Sequence, residues 1–435
     1  MESLRSNSSG KSEIRNPKFE MGIWDAILVG AGPAGCAAAT LLAREGLRVR
    51  LLDKSPAPPP KVCGEYLSPG CLRPLRALGA LKPILDAGAR PLHGMVIHTA
   101  SGRRLRATYP RHASFGDLPA HGLAIRRDQL DPILLDLAVK AGAEFTPCFQ
   151  ASDLLREDGR VVGVLGRERG RSAGFRGRLV IGADGRHSVV ARRLGPVRRH
   201  PWLDKVALVG YADGVARAED AGEIFLGRDR YCILNPIGPD RTNIGLVLNR
   251  GEFRPGADPT DFLLQASRTL PGLGERLAPA RIVAPVRCLG PLAHRATRLT
   301  APGTLLIGDA AGFLDPFTGE GIHAALRSAE LAAHYALPAL RADGEAHPDV
   351  QEYAAVLLRE RNAKWRLCMW LQHAIRHPLL AEWLVSRLSR RPTLTALFMA
   401  AVGDLIPARD LGPLGFLARL LAGAEPPQTW PADLP

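Results

Sequence analysis

Apolar and polar positions along this chain fall into two alternating kinds of block. An apolar run from Trp24 to Val29 enters Gly30-x-Gly32-x-x-Gly35, a small-residue helical stretch follows, and a second apolar run ends at Asp53. This order predicts a βαβ unit whose helix opens at the glycines. Residues 94 to 109 alternate instead, as two strands joined at Ser101-Gly102. A strand and a helix over His121 to Gly142, strands around Phe145 and Val161, and the run Leu179-Val-Ile-Gly182 return to the first pattern. Strand-like runs then recur at Val206 to Tyr211, Glu223 to Leu226, Tyr231 to Leu234, Asn243 to Leu248 and Ile282 to Leu289, with a helix predicted over Pro259 to about Leu277. The first pattern resumes at Leu305-Leu-Ile307, and helical spacing runs to about Ala339, through Gln351 to Ala374 and Pro378 to Leu388, and on to Leu421.

The predicted fold class is therefore α/β, with a Rossmann-like dinucleotide-binding domain assembled from separated segments at 22–92, 119–198 and 299–345. An antiparallel-sheet substrate domain is expected from 93–118 and 199–298, and a helical C-terminal region from 346–435. Residues 1–21, rich in Ser, Asn, Lys and Glu, are expected to form a flexible tail, without the apolar core of a secretion signal.

Each glycine of the opening motif has a physical task. Gly30 permits the tight turn out of the strand, Gly32 lets backbone approach a pyrophosphate at the positive helix N-terminus, and Gly35 lets helix and sheet pack closely. Ala34 lies within the same turn. Asp53, at the end of the second strand, is placed to accept hydrogen bonds from a ribose diol, with Lys54 beside it. The type of dinucleotide stays open on this motif alone.

Composition narrows the class. Of 435 residues 46% are apolar and 23% charged, as in an ordinary globular protein, so general disorder is excluded. The net charge of +14 comes mostly from scattered arginine and accompanies no nucleic-acid motif, so no nucleic-acid partner is expected. An anionic cofactor, an acidic carrier protein, an anionic membrane surface or simply a basic solvated surface accounts for it. Seven cysteines without Cys-x-x-Cys spacing indicate neither a metal site nor a disulfide framework, and point to a reducing cytoplasm. The apolar stretch from Ala26 to Ala43 is explained by the glycine motif, and no transmembrane helix is predicted.

Three ordered motifs carry a resemblance: Gly30-Ala-Gly32-Pro-Ala-Gly35, then Ala183-Asp184-Gly185-x-x-Ser188, then Gly308-Asp309-Ala-Ala-Gly312. Together, from about residue 24 to about 340, they resemble the FAD-dependent oxidoreductases of the p-hydroxybenzoate hydroxylase fold. The resemblance implies FAD as cofactor, with Asp184 and Gly185 near its pyrophosphate and Asp309 on its ribityl or ribose hydroxyls. It also implies that Arg127 stands close to the FAD phosphates, where a guanidinium makes a suitable fork. Pro316-Phe-Thr-Gly319-Glu-Gly321-Ile322 opens a helix whose free amides are expected at the N1/C2=O edge of the isoalloxazine, which gains negative charge on reduction.

Cys63-Gly64-Glu65 and Asp315-Pro-Phe-Thr-Gly-Glu-Gly-Ile322 resemble the geranylgeranyl reductase and FixC-like branch of this fold most closely. In that branch a Cys-Gly loop lies beside the flavin, so Cys63 and Glu65 are the candidate catalytic residues, with Tyr66 and His323 further candidates for proton movement. The strand Tyr231-Cys-Ile-Leu-Asn235-Pro236 lacks the tryptophan of prenyl reductases and the motif of flavin-dependent halogenases. The preferred expectation is consequently a monooxygenase acting through a flavin hydroperoxide on an apolar aromatic, polyketide or isoprenoid-like substrate, since that chemistry asks little of side chains. A reductase of prenyl double bonds and an electron relay to a quinone or partner protein are the alternatives. NAD(P)H or a reductase is the expected electron donor. Trp365, Trp370 and Trp383, among basic residues, are expected in the core, with peripheral membrane contact as the sharper alternative.

Overall fold

Strands that are apolar on both faces need cover on both, and the central strands here are of that kind: Val49–Leu52 and the end of Arg171–Gly182 are buried throughout. The structure, a computed structural model, describes residues 18–422 except 218, 254–255, 343–349 and 412. Five parallel strands lie in the order Thr304–Leu306, Arg171–Gly182, Lys18–Val29, Val49–Leu52, Glu144–Thr146. The order reverses beside the first strand in sequence, which makes a topological switch point at the carboxyl ends of Lys18–Val29 and Arg171–Gly182. An antiparallel extension, Arg160–Glu168 and Phe149–Glu157, continues from Arg171–Gly182.

The first strand begins at Lys18, pairing Lys18 with Ala173 and Phe19 with Gly174, so the segment expected to be a tail ends earlier than residue 21. Residues 1–17 lie outside the described part. A polar sequence was a poor guide here because an edge of the long Arg171–Gly182 strand is available for backbone pairing, which is indifferent to side chains.

The second sheet runs Arg281–Ile282, Lys205–Asp213, Arg241–Asn249, Tyr231–Pro236, Gly222–Leu226, Gly94–His98, Arg104–Thr108. The hairpin expected over 94 to 109 is its far edge, and it joins the sheet through a parallel pairing of Gly94–His98 with Gly222–Leu226. The single strand expected over Ile282 to Leu289 is two short ones, Arg281–Ile282 and Arg287–Leu289, both on Lys205–Asp213. The helix expected over Pro259 to Leu277 is also two, Pro259–Arg268 and Leu273–Leu277, because Gly272 takes a left-handed φ of 76° between them. Both cover one face of the sheet, where Leu263, Leu270 and Leu273 pack on Leu208, Leu234 and Leu246.

The opposite face turns toward the parallel sheet and the long helix Gly321–Arg341. The C-terminal helices Val350–Arg376, Pro378–Leu388, Pro392–Val402 and Pro413–Ala422 follow, and Pro378–Leu388 and Pro392–Val402 close the side of the Arg104–Thr108 edge. Between them and the sheet is an apolar crevice of about 40 Å³, lined by Met95, Ile224, Phe317, Leu384 and Phe398 among others. No helix among the described residues is long and apolar enough to cross a membrane.

Candidate functional site

A cavity of about 680 Å³ starts at the switch point and runs between the two sheets. Its walls include Gly30, Gly32, Ala34, Asp53, Lys54, Cys63, Glu65, Arg127, Asp184, Gly185, Asp309, Gly319, Gly321 and Ile322. Gly35 stands behind this wall. A Cβ there would lie 1.9 Å from the Gly30 carbonyl oxygen, so Gly35 shapes the turn by packing. Gly30 itself has φ 108°, and a Cβ would meet the Ala183 carbonyl oxygen at 2.4 Å.

At one end of the cavity the helix Pro33–Arg44 presents an N-terminus with Gly32 as N-cap and no side-chain cap. A Cβ on Gly32 would meet nothing closer than Lys61 Nζ at 3.3 Å, which puts an ammonium over the same helix end. Asp53 closes this region: its carboxylate accepts from the Ala31 amide and the Ser55 amide, each at 2.8 Å. Arg127 forms a bidentate pair with Asp131, one turn on, through Nε and one terminal nitrogen, both at 2.7 Å. Lys61 also approaches Asp131, at 3.5 Å. Nothing in its local sequence marks Lys61 as a site residue, and only the folded proline-rich loop brings it over Gly32.

Asp184 is occupied differently from Asp53. Its oxygens accept from Ser188 Oγ at 2.5 Å and from the Val189 amide at 2.6 Å, so from the cavity wall it braces the start of the short helix Val189–Leu194, whose N-cap is Ser188. Burial raises its pKa and these bonds oppose the rise. The carboxyl of Asp309 is open to the cavity yet enclosed by protein beyond it, and desolvation raises its pKa against the pull of His294, Arg127 and Arg186.

Further along, the helix Gly321–Arg341 also lacks a side-chain cap, and both Gly321 and Ile322 line the cavity. Gly319, at φ 66°, lies so close to Tyr66 that a Cβ would fall 2.5 Å from its ring. Beneath this turn Asp315 Oδ1 accepts from the Tyr231 hydroxyl at 2.5 Å, Gln372 Nε2 at 2.8 Å and the Phe317 amide at 3.0 Å, and Lys205 Nζ donates to Gln372 Oε1 at 2.6 Å. The turn is thus anchored from below by a buried polar chain.

The Cys63 loop is gripped by the second sheet. Tyr211, Asn243 and Asn235 stand opposite one another on three adjacent strands. The Tyr211 hydroxyl donates to Glu65 Oε1 at 2.5 Å, Asn243 Nδ2 to the Cys63 carbonyl at 3.1 Å and Asn235 Nδ2 to the Gly64 carbonyl at 2.8 Å. Three residues in one row therefore hold three consecutive loop residues. Sequence reasoning missed Asn243 and Tyr211 as site residues. The Cys63 thiol has its pKa raised by burial, which the nearby Arg127 opposes, so it is a neutral thiol and not a poised nucleophile. His323 lies outside the cavity wall and is 3.5 Å from Asp404, which Lys364 and Ser68 also hold.

The next rows of the sheet face the cavity with Val209, Gly245 and Ile233, and with Ala207 and Val247; Leu289 and Met95 flank them. This side of the cavity is apolar. A Cβ on Gly245 would meet nothing within 4 Å, so space is left open there.

Residues 24–347 match the family described as FAD binding domain. The chain belongs to that family. Digeranylgeranylglycerophospholipid reductase 2 of Methanopyrus kandleri is 30% identical to it over 340 residues, 76% of this chain and 81% of the relative. Menaquinone reductase of Mycolicibacterium smegmatis is 28% identical over 323 residues, 71% and 75% of the two chains. A solved structure of a geranylgeranyl bacteriochlorophyll reductase-like protein from Thermoplasma acidophilum shares the fold, with a TM-score of 0.73 at 23% identity over 91% of this chain and 100% of that one. The chain is accordingly an FAD-dependent oxidoreductase of the geranylgeranyl reductase branch of the p-hydroxybenzoate hydroxylase fold.

The residues present suit FAD. Two uncapped helix N-termini face one cavity, Gly32 leaves room for a phosphate beside Lys61, and the Asp309 carboxyl is open to a hydroxyl donor.

Proposed function

We propose that this FAD-dependent oxidoreductase saturates double bonds in an isoprenoid chain. The observation that carries this reading is the apolar sheet face, Ala207, Val209, Ile233, Gly245 and Val247, which meets the cofactor cradle in one continuous cavity. The likeness to a digeranylgeranylglycerophospholipid reductase supports it over the monooxygenase expected from the missing tryptophan. FAD, when bound, would supply hydride to the substrate. The protein would do the rest: Gly30, Gly32, Ala34, Asp53, Lys54, Lys61, Arg127 and Asp309 bind the cofactor, the free amides of Gly321 and Ile322 favour its reduced form, and the sheet aligns an apolar chain and excludes water. Cys63, as a neutral thiol, serves as wall.

NAD(P)H or a partner reductase is the proposed electron source, and seven free thiols accord with a reducing cytoplasm. Leu379, 86% exposed on Pro378–Leu388, with Arg376, Arg387, Arg390 and Arg391 close in sequence, is the proposed contact with an anionic membrane carrying the substrate. A second reading, electron transfer to a quinone, rests on the menaquinone reductase likeness.

One assay separates these readings. Chemically reduced enzyme is mixed anaerobically with a geranylgeranyl lipid, and the product is analysed by mass spectrometry. Gain of two hydrogens per double bond is expected. A product formed only with oxygen and carrying an oxygen atom would replace this reading with monooxygenation, and turnover of quinones alone would replace it with the second.

A further inference from the structure

Glu65 is held in a way that a wall residue does not require. It is 2% exposed, adopts φ 53° although it is not glycine, and lines the cavity where the cofactor cradle meets the apolar sheet. Oε1 accepts two hydrogen bonds, from the Tyr211 hydroxyl at 2.5 Å and the Arg127 amide at 3.2 Å. Oε2 is closed off from water and has no protein partner among the described residues. An ionised carboxyl would leave a charged oxygen bare in the wall, which burial strongly disfavours. A neutral acid carrying its proton on Oε2 avoids that, because Oε1 is already the acceptor.

We propose that Glu65 is the acid of this site, giving a proton from Oε2 to the substrate carbon next to the one that receives hydride, and that Tyr211 is the positioning residue that holds it. This rests on the double-bond reduction proposed above. For each bond saturated, bound FAD in its reduced form would supply the hydride of one C–H bond, the Glu65 proton would form the other, and the π bond would be consumed. Glu65 is left as a carboxylate and regains its Oε2 proton from water in the cavity while the carboxyl is turned toward it, with Tyr211 still donating to Oε1. Because Oε2 lies within the wall, donation requires a turn of the carboxyl toward the cavity.

The charged neighbours agree with this role. Burial raises the Glu65 pKa to about 7, Tyr211 and the Arg127 amide pull it down, Asp128 pushes it up and Arg126 lowers it. Cys63, on the same loop, is neutral. The acid form is therefore present below about pH 7 and lost above it.

The test uses FAD-loaded enzyme with Glu65→Gln and Tyr211→Phe. In the wild type kcat should fall as pH rises through about 7. Glu65→Gln should lower kcat by roughly 100-fold or more, with KM and FAD content unchanged. Tyr211→Phe removes a bond that favours the carboxylate, so the falling limb should move to higher pH, which a packing defect would not do. Independently of turnover, infrared difference spectra between pH 6 and pH 8.5 should show a protonated-carboxyl band lost with rising pH, and that band should be missing in Glu65→Gln. An active wild type with Glu65→Gln matching it in kcat and pH profile would overturn the proposal, as would an infrared band unchanged by the substitution. A wild type inactive on isoprenoids but showing the Glu65 band would instead count against the proposed reaction alone.

Discussion

At the scale of single residues the site depends on atoms that are missing and on carboxyls kept neutral. Gly30 combines a left-handed φ with a carbonyl oxygen 2.4 Å from where a Cβ would stand, so no rotamer choice relieves a substitution. Gly30→Ala should yield protein that retains little FAD, read as the flavin absorbance per protein after purification. Glu320 tests the second feature. It is buried beside the turn at Gly319, and burial lifts its pKa from 4.5 to about 7, with Lys364 opposing and Asp404 adding to the shift. The unfolded chain ionises first as pH rises, while the folded chain keeps the proton. Its contribution to stability is thus intact below pH 4.5 and lost as pH climbs through about 7, by at most about 3 kcal/mol. Glu320→Gln should raise the melting temperature at pH 8.5 relative to the wild type and leave it nearly unchanged at pH 4.5. An equal difference at both values would show that the side chain acts by packing.

Among the elements, what was legible in the sequence is what is local. The βαβ unit and the three glycine and aspartate turns follow from covalent neighbours, because each needs a conformation or a close approach that few residue types permit. The second-sheet strands were also legible, the hairpin over 94 to 109 from alternation and the others as strand-like runs spaced by turn residues. The grip on the Cys63 loop was not, since Asn235 and Asn243 lie 171 and 180 residues from their partners and are ordinary strand residues until the register aligns them. Turn-dependent breaks were missed for a related reason: the first helix stops at Thr269, and Gly272 begins the second through a left-handed backbone angle. Asp184 shows how an element and a site share a residue. By accepting from the N-cap hydroxyl of Ser188 and from the Val189 amide it contributes about 1–3 kcal/mol. Asp184→Ala should therefore lower the unfolding free energy from denaturant titration by that amount, and FAD affinity should fall less than in Gly30→Ala.

For the molecule as a whole, the parallel sheet holds the cofactor cradle, the second sheet supplies both the apolar face and the row that fixes the loop, and the C-terminal helices seal the far edge. Met95 and Phe317 belong to two compartments at once, the large cavity and the small crevice under those helices. Their side chains are thus a partition, and a partition at the end of a slot acts as a ruler for whatever chain is threaded into it. The stop lies between Gly94–His98 and the turn before Gly321, so chain length would be measured from the reacting end. Met95→Ala should join the compartments and raise kcat/KM for long over short isoprenoid chains by roughly fivefold or more. Comparing geranyl with geranylgeranyl substrates measures it, and an unchanged ratio would mean that the chain leaves the cavity by another route.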